Sequence, residues 1–242
     1  PDLLLIEGTT IGRTGEQELT EGELEAEFKK VMEQSRGIVL CQPTAQNIDR
    51  VISFCNAARA CGKIFIMDVY TANVLNEMSR IGPERLPLPS LWRPDIRVFS
   101  PSMLTRKMEK LLGKKYTGRF CFYTVGEKTI GKRQNEIVML IRPSMLTDLK
   151  RMKLKNGVLI YSMWQVYREK EYQIRLEEYL KSQGFQYTYL HTSGHAFEEV
   201  IKKVIGTLSP KEVVPIHTFH PEAFLAFHPN VVLQRDGVPF VL

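Results

Sequence analysis

Leu190-His191-Thr192-Ser193-Gly194-His195-Ala196 stands where the apolar run Phe185 to Leu190 gives way to a helical periodicity from Ala196 to Leu208. A strand that turns straight into a helix is the repeating joint of an α/β fold, and this joint carries two imidazoles. Ser193 or Thr192 is placed to cap the helix, and Gly194 lets the backbone come close to a ligand. Seven residues alone do not separate chemistry from a pair of packing or capping histidines. The rest of the chain tips the balance.

Upstream of that joint the pattern repeats. Asp2 to Ile6 is a short apolar run ending at Glu7-Gly8-Thr9-Thr10, and Gly12 to Gly15 is a turn. Thr20 with Glu23 forms a capping box for a helix reaching Gln34. Gly37 to Cys41 reads as a strand, Asn47 to Ala60 as a helix, Lys63 to Met67 as a strand with Asp68 at its end, and Ala72 to Ser79 as a helix. Strand alternating with helix predicts a parallel sheet. Five prolines between Gly82 and Pro101 argue against helix and central strand alike and predict an extended loop with Trp92 as its anchor.

Beyond the loop, Met103 to Leu112 reads as a basic amphipathic helix. Arg119 to Thr124, Glu136 to Ile141 and Gly157 to Tyr161 read as strands, with a short helix from Ser144 to Met152. Arg168 to Gln183 is a charged surface helix. After the histidine-bearing joint come a strand from Val213 to Ile216, a short helix from Pro221 to Phe227, and a hairpin of Val231 to Leu233 with Val238 to Val241 across Asp236-Gly237.

Composition sets outer limits. A chain of 242 residues with 43% hydrophobic and 25% charged residues is an ordinary globular sequence. No apolar run approaches the roughly 18 residues of a membrane span and no signal peptide opens the chain, so we expect a cytoplasmic protein with no membrane partner. The cysteines Cys41, Cys55, Cys61 and Cys121 form no Cys-x-x-Cys pair and read as reduced, buried thiols. The net charge of +6 is uneven: Arg97 to Lys155 holds 15 lysines and arginines against 4 acidic residues. A basic middle between acidic flanks suits a phosphate-rich partner, although a solvated helix face would look the same. The chain opens at Pro1-Asp2 without an initiator Met, which suggests a piece of a longer protein.

Glu7, His191, His195 and His217 each follow an apolar, strand-like run. Open α/β sheets place their chemistry at such strand ends. Only five histidines serve the whole chain, so the concentration is informative. The set has no second carboxylate and no His-x-His pair, so it makes at most part of a metal site.

Taken in order, Asp2 to Thr10, the run Cys41-Gln42-Pro43-Thr44-Ala45-Gln46-Asn47, the run His191 to Ala196, and Val214-Pro215-Ile216-His217 resemble the motifs of the β-CASP metallo-β-lactamase nucleases, a family that includes ribonuclease J. The resemblance covers nearly all of the chain and is weakest across the basic middle. It implies the C-terminal part of a metallo-β-lactamase fold with an inserted α/β β-CASP lobe. Residues 1–36 and 166–242 would belong to the metallo-β-lactamase lobe and 37–165 to the insert. It implies that Glu7 orients His195, that His195 handles the leaving-group proton, and that His217 binds one of two zinc ions. His191 and Ser193 would line the substrate phosphate site. The His-x-His-x-Asp-His ligand run, a further His and a bridging Asp are absent, so the upstream metallo-β-lactamase segment is an expected partner and this chain alone is expected to be inactive. The implied activity is two-zinc phosphodiester hydrolysis of RNA, with homo-oligomerisation left open. Two alternatives keep the fold: an RNA-binding homologue without catalysis, and a metallo-hydrolase of a non-nucleic ester.

Overall fold

The computed structural model describes residues 1–12, 19–81, 86–192 and 194–239. Its elements in chain order are β1 (Leu3–Glu7), α1 (Glu21–Gln34), β2 (Val39–Gln42), α2 (Ile48–Ala60), β3 (Ile64–Asp68), α3 (Val69–Met78), β4 (Ile96–Phe99), α4 (Ser102–Leu112), α5 (Lys114–Gly118), α6 (Glu127–Lys132), β5 (Ile137–Leu140), α7 (Leu146–Met152), β6 (Val158–Tyr161), α8 (Glu171–Ser182), β7 (Gln186–Tyr189), α9 (Glu198–Leu208) and β8 (Glu212–Ile216). Every pairing between these strands is parallel, so the chain adopts the α/β architecture read from its sequence. Among the described residues no helix is long and apolar enough to cross a membrane.

The chain forms two compact units, residues 19–192 and the two terminal stretches 1–18 and 193–242. The larger unit holds a six-stranded sheet in the order β4-β3-β5-β2-β6-β7. Its central strands are apolar on both faces, as a parallel sheet covered by helices requires. Val39 and Cys41 of β2, with Phe65 and Met67 of β3, pack with Phe28 of α1, Phe54 of α2 and Leu75 of α3. The intervening Leu40 and Ile66 point the other way and pack with Ile130 of α6, Leu149 of α7 and Leu176 of α8. In the smaller unit β1 pairs with β8, and Ile201 and Ile205 of α9 pack with Val213 and Phe224.

The unit boundaries expected after residues 36 and 165 fall instead after residues 18 and 192. The Thr20 and Glu23 capping box is present, but α1 packs on α2, with the Phe28 and Phe54 rings stacked at 4.0 Å. β7 continues the large sheet beside β6, and this draws α8 and the strand before the histidine joint into the same unit.

Four local expectations are also corrected. Arg119 to Thr124 is not a strand. Cys121 to Tyr123 form a 3-10 turn, because of these contiguous aromatics only Phe120 is buried. The strand lies earlier, at Ile96–Phe99 between Pro94 and Pro101, and it occupies the sheet edge where flanking prolines are tolerated. Trp92 is 91% exposed and anchors nothing among the described residues; Leu86 and Leu88 pack on the core in its place. Val231 makes a single parallel bridge to Val213 and no hairpin forms among the described residues; the far end of the expected hairpin, residues 240–241, lies outside them.

Candidate active site

The β1 and β8 register places Glu7 opposite Ile216, so the next residue along, His217, emerges beside the carboxylate. Here the backbone turns sharply. His217 has φ 51°, in the left-handed region that a non-glycine residue occupies at some cost. On the other strand Gly8 lets the chain pass under a wall, since a Cβ there would sit 2.6 Å from the Phe224 ring.

Glu7 is the hub. Its Oε2 lies 2.5 Å from His195 Nδ1 and accepts from Thr9 Oγ1 at 2.7 Å, and its Oε1 accepts from the Ala196 amide at 3.0 Å. Thr10 Oγ1 adds a bond to the Ala196 carbonyl at 2.6 Å. The chain that follows the histidine joint is thus tied to β1 through both side chain and backbone. Burial pushes the Glu7 carboxyl up, but the bonds from Thr9 and Ala196 and the nearby His195 outweigh it and hold the group below the ordinary carboxylate range. Glu7 is therefore ionised at neutral pH.

The bonding places both Nδ1 protons. An ionised carboxylate only accepts, so His195 Nδ1 carries a proton toward Glu7. Thr9 Oγ1 also lies 3.0 Å from the His217 carbonyl oxygen and 3.1 Å from His217 Nδ1. Its single proton goes to the carboxylate, the shorter and charged partner, so Nδ1 of His217 donates to Thr9. The rings stand 5.1 Å apart between centroids.

Donor atoms of Glu7, His195 and His217 all lie within 4.8 Å of one another. One carboxylate and two imidazoles are a donor set that divalent zinc accepts, and an open zinc site takes three protein ligands. Glu7 also bonds His195 Nδ1, so a metal ion held here would share the carboxylate with that histidine. A two-metal centre needs ligands beyond these three residues.

The other expected site residues are distributed differently. His191 belongs to the larger unit, where Nδ1 lies 3.3 Å from Arg50 Nη1 and its ring is 6.1 Å from that of Tyr189. Ser193 lies outside the described residues. The helix cap expected of Thr192 is not made, since α9 starts at Glu198 and its N-terminal flank, Phe197, offers no side-chain bond; the alternative cap, Ser193, lies outside the described residues.

Two contributors escaped the sequence reading. Thr9 was visible beside Glu7, but its link to His217 spans 208 positions and nothing local announces it. Arg50, fully buried on α2, bonds Glu21, Ser162 Oγ at 2.5 Å and the Thr192 carbonyl at 3.2 Å, and so fixes the end of β6 and the segment carrying His191. A lone arginine three residues past the Asn47 cap gave no signal of burial.

No protein-family model matches the chain, and no curated protein matches it. Among solved structures it is similar to the crystal structure of a protein of unknown function from Enterococcus faecalis V583, with a TM-score of 0.68 and 18% identity. The likeness shows the fold alone. It covers 100% of this chain and 52% of the other, so the chain spans about half the length of that neighbour.

Proposed function

We propose that this chain is part of a metal-dependent phosphodiesterase acting on RNA. The carrying observation is the convergence of Glu7, His195 and His217 at the carboxyl ends of strands and at the joint leading to α9. In this reading His217 would hold one metal ion, and zinc bound at the complete site would supply Lewis-acid activation of water and of the phosphate. Glu7 holds His195 in one tautomer and one orientation. His195 Nε2 exchanges a proton with the departing oxygen, with the carboxylate stabilising the imidazolium when it forms. The β-CASP resemblance supports the same assignment, and the basic stretch from Arg97 to Lys155 supports a polyanionic substrate.

The test is made on the longer protein that contains the upstream ligand segment. His217→Ala should lose metal and activity together, with added zinc restoring part of each. His195→Ala should keep its metal and lose turnover by roughly 10² to 10⁴. Loss of zinc in His195→Ala, full turnover without His195, or an absence of metal-dependent RNA cleavage in the unmodified protein would overturn the reading.

A further inference from the structure

The six-stranded sheet ends in two edges of unlike character. At one edge β4 lies between Pro94 and Pro101 and carries Arg97, while its Val98 is bridged to Thr124 and accepts from the Val125 amide at 2.9 Å. Proline, charge and a covering segment are the usual means of closing an edge strand to further pairing. At the other edge β7 has none of them. Its residues Gln186, Tyr187, Thr188 and Tyr189 include no charge and no proline, and among the described residues β6 is the only strand beside it.

The open side of β7 is polar in its backbone and aromatic in its side chains. Gln186 N–H donates to the Gly157 carbonyl and Leu190 N–H to the Tyr161 carbonyl, so the even-numbered residues face β6. The N–H and C=O of Tyr187 therefore point outward. Its ring lies on the α8 side of the sheet, because Tyr187 is in register with Leu159, which packs with Leu176 and Leu180. That ring is 39% exposed and stacks with Tyr161 at 6.2 Å.

The surroundings of the ring are neutral and open. Arg168 lies 4.2 Å from the Tyr187 ring centre, but Glu177 holds it through two bonds of 3.0 and 2.6 Å, so the pair adds no net charge to the edge. Beside the ring a groove of about 560 Å³ is lined by Ile174, Glu178 and Lys181 of α8 and by Phe185. Ile174 is 44% exposed at this groove.

We infer that β7 pairs antiparallel with β7 of a second copy of this chain, joining two six-stranded sheets across a two-fold axis. An axis normal to the sheet sets each residue opposite one on the same face. Centred on Thr188, it puts Tyr187 of each copy opposite Tyr189 of the other and brings Tyr189 of the second copy to the mouth of the groove. Aromatic pairs then meet on the α8 face and Thr188 meets Thr188 on the other, and both kinds of pair stabilise an antiparallel ladder. The same axis runs the two α8 helices in opposite directions, so the end that carries Glu171 in one copy lies across from the end that carries Lys181 in the other. This complementarity of rings and charges favours a second copy over a foreign strand. With the β4 edge closed, association stops at two copies, as a self-complementary contact requires. The inference stands apart from the hydrolytic reading, because its test measures mass and not turnover.

Sedimentation velocity of the 242-residue chain across a concentration series should show a species of twice the chain mass. Thr188→Lys and Thr188→Glu each set like charges face to face at the axis, and each alone should weaken dimerisation by about tenfold. An equimolar mixture of the two variants should recover the dimer, because Lys then faces Glu; that recovery separates a lost contact from a misfolded chain. Hydrogen exchange at the Tyr187 amide should slow as the concentration of the unmodified chain rises, and should not do so in Thr188→Lys. A chain that stays monomeric at high micromolar concentration would leave the edge to a foreign strand and overturn the inference. A dimer that both single variants leave intact, or variants that remain monomeric when mixed, would overturn it as well.

Discussion

Thr9 is the residue that makes the candidate site a connected unit, because one hydroxyl touches both Glu7 and His217. Thr9→Val removes that link at nearly constant shape. With the protons placed as above, His217 loses the acceptor for its Nδ1 proton, and metal affinity in the longer protein should fall by about 10- to 100-fold, the usual range for removing a group that orients a metal ligand. Unchanged metal affinity would show that Thr9 only packs. Glu7→Gln should reduce turnover less than His195→Ala while leaving metal content intact, since the imidazole remains but its orientation and charge partner are weakened; turnover and metal analysis on the same preparations check it. Elsewhere in the chain, burial pushes the Cys55 thiol up to about 12 and also raises that of Cys41, whereas Cys121 is exposed and Cys61 partly so. The expectation of four buried thiols is thus met at two positions. Iodoacetamide at mildly alkaline pH should alkylate Cys121 first and reach Cys41 and Cys55 only on unfolding, because the thiolate is the reactive form and burial suppresses it. Peptide mapping after timed labelling would expose an error if Cys55 reacted early.

At the scale of elements, α2 is fixed at its first turn by Arg50, a fully buried side chain whose Glu21 partner is partly exposed. Arg50→Met keeps the apolar stem but deprives Ser162 and the Thr192 carbonyl of donors, so we expect a loss of roughly 2 to 4 kcal/mol, at the lower side of a broken buried pair because Glu21 regains water. Urea denaturation checks the value, and a change below about 0.5 kcal/mol, the usual scale of a surface substitution, would contradict it. The elements were largely legible in the sequence wherever periodicity and caps agreed, as at Thr20 with Glu23 and along Ile48, Val51 and Ile52. Ile96–Phe99 was hidden because prolines on both sides argue against a strand, and only its position at the sheet edge makes them harmless. Glu7 and His217 were legible as strand-end residues and His195 as part of the joint before α9. Their mutual contacts were not, because these follow from the β1 and β8 register, and no short stretch of sequence encodes a pairing between chain segments so far apart.

For the whole molecule, the uneven charge yields a direct measurement. Lys110, Lys114 and Lys115 lie on α4 and at the start of α5, in the basic middle of the chain. Changing all three to Gln should weaken RNA binding and flatten its salt dependence by about 0.7 to 0.9 for each phosphate that is no longer neutralised. Binding measured across a series of salt concentrations decides it, and an unaltered slope would leave these lysines as a solvated face.

The pairing of β1 with β8 also sets an order of events in time. Leu3 meets Glu212, so the strand made first must wait while nearly the entire larger unit is synthesised. At ordinary translation speeds that wait is roughly ten to forty seconds. During it, β1 lacks the one strand it pairs with among the described residues, while the larger unit can collapse from contacts much nearer in sequence. Closing so long a loop carries an entropy cost that an already folded insert reduces. Pulse-labelled hydrogen exchange during refolding should therefore find the amides of β2, β5 and β6 protected before those of β1 and β8. Thr9 and His217 then come into register only in the final step, and a chain arrested before it would have a finished sheet and no hub of histidines.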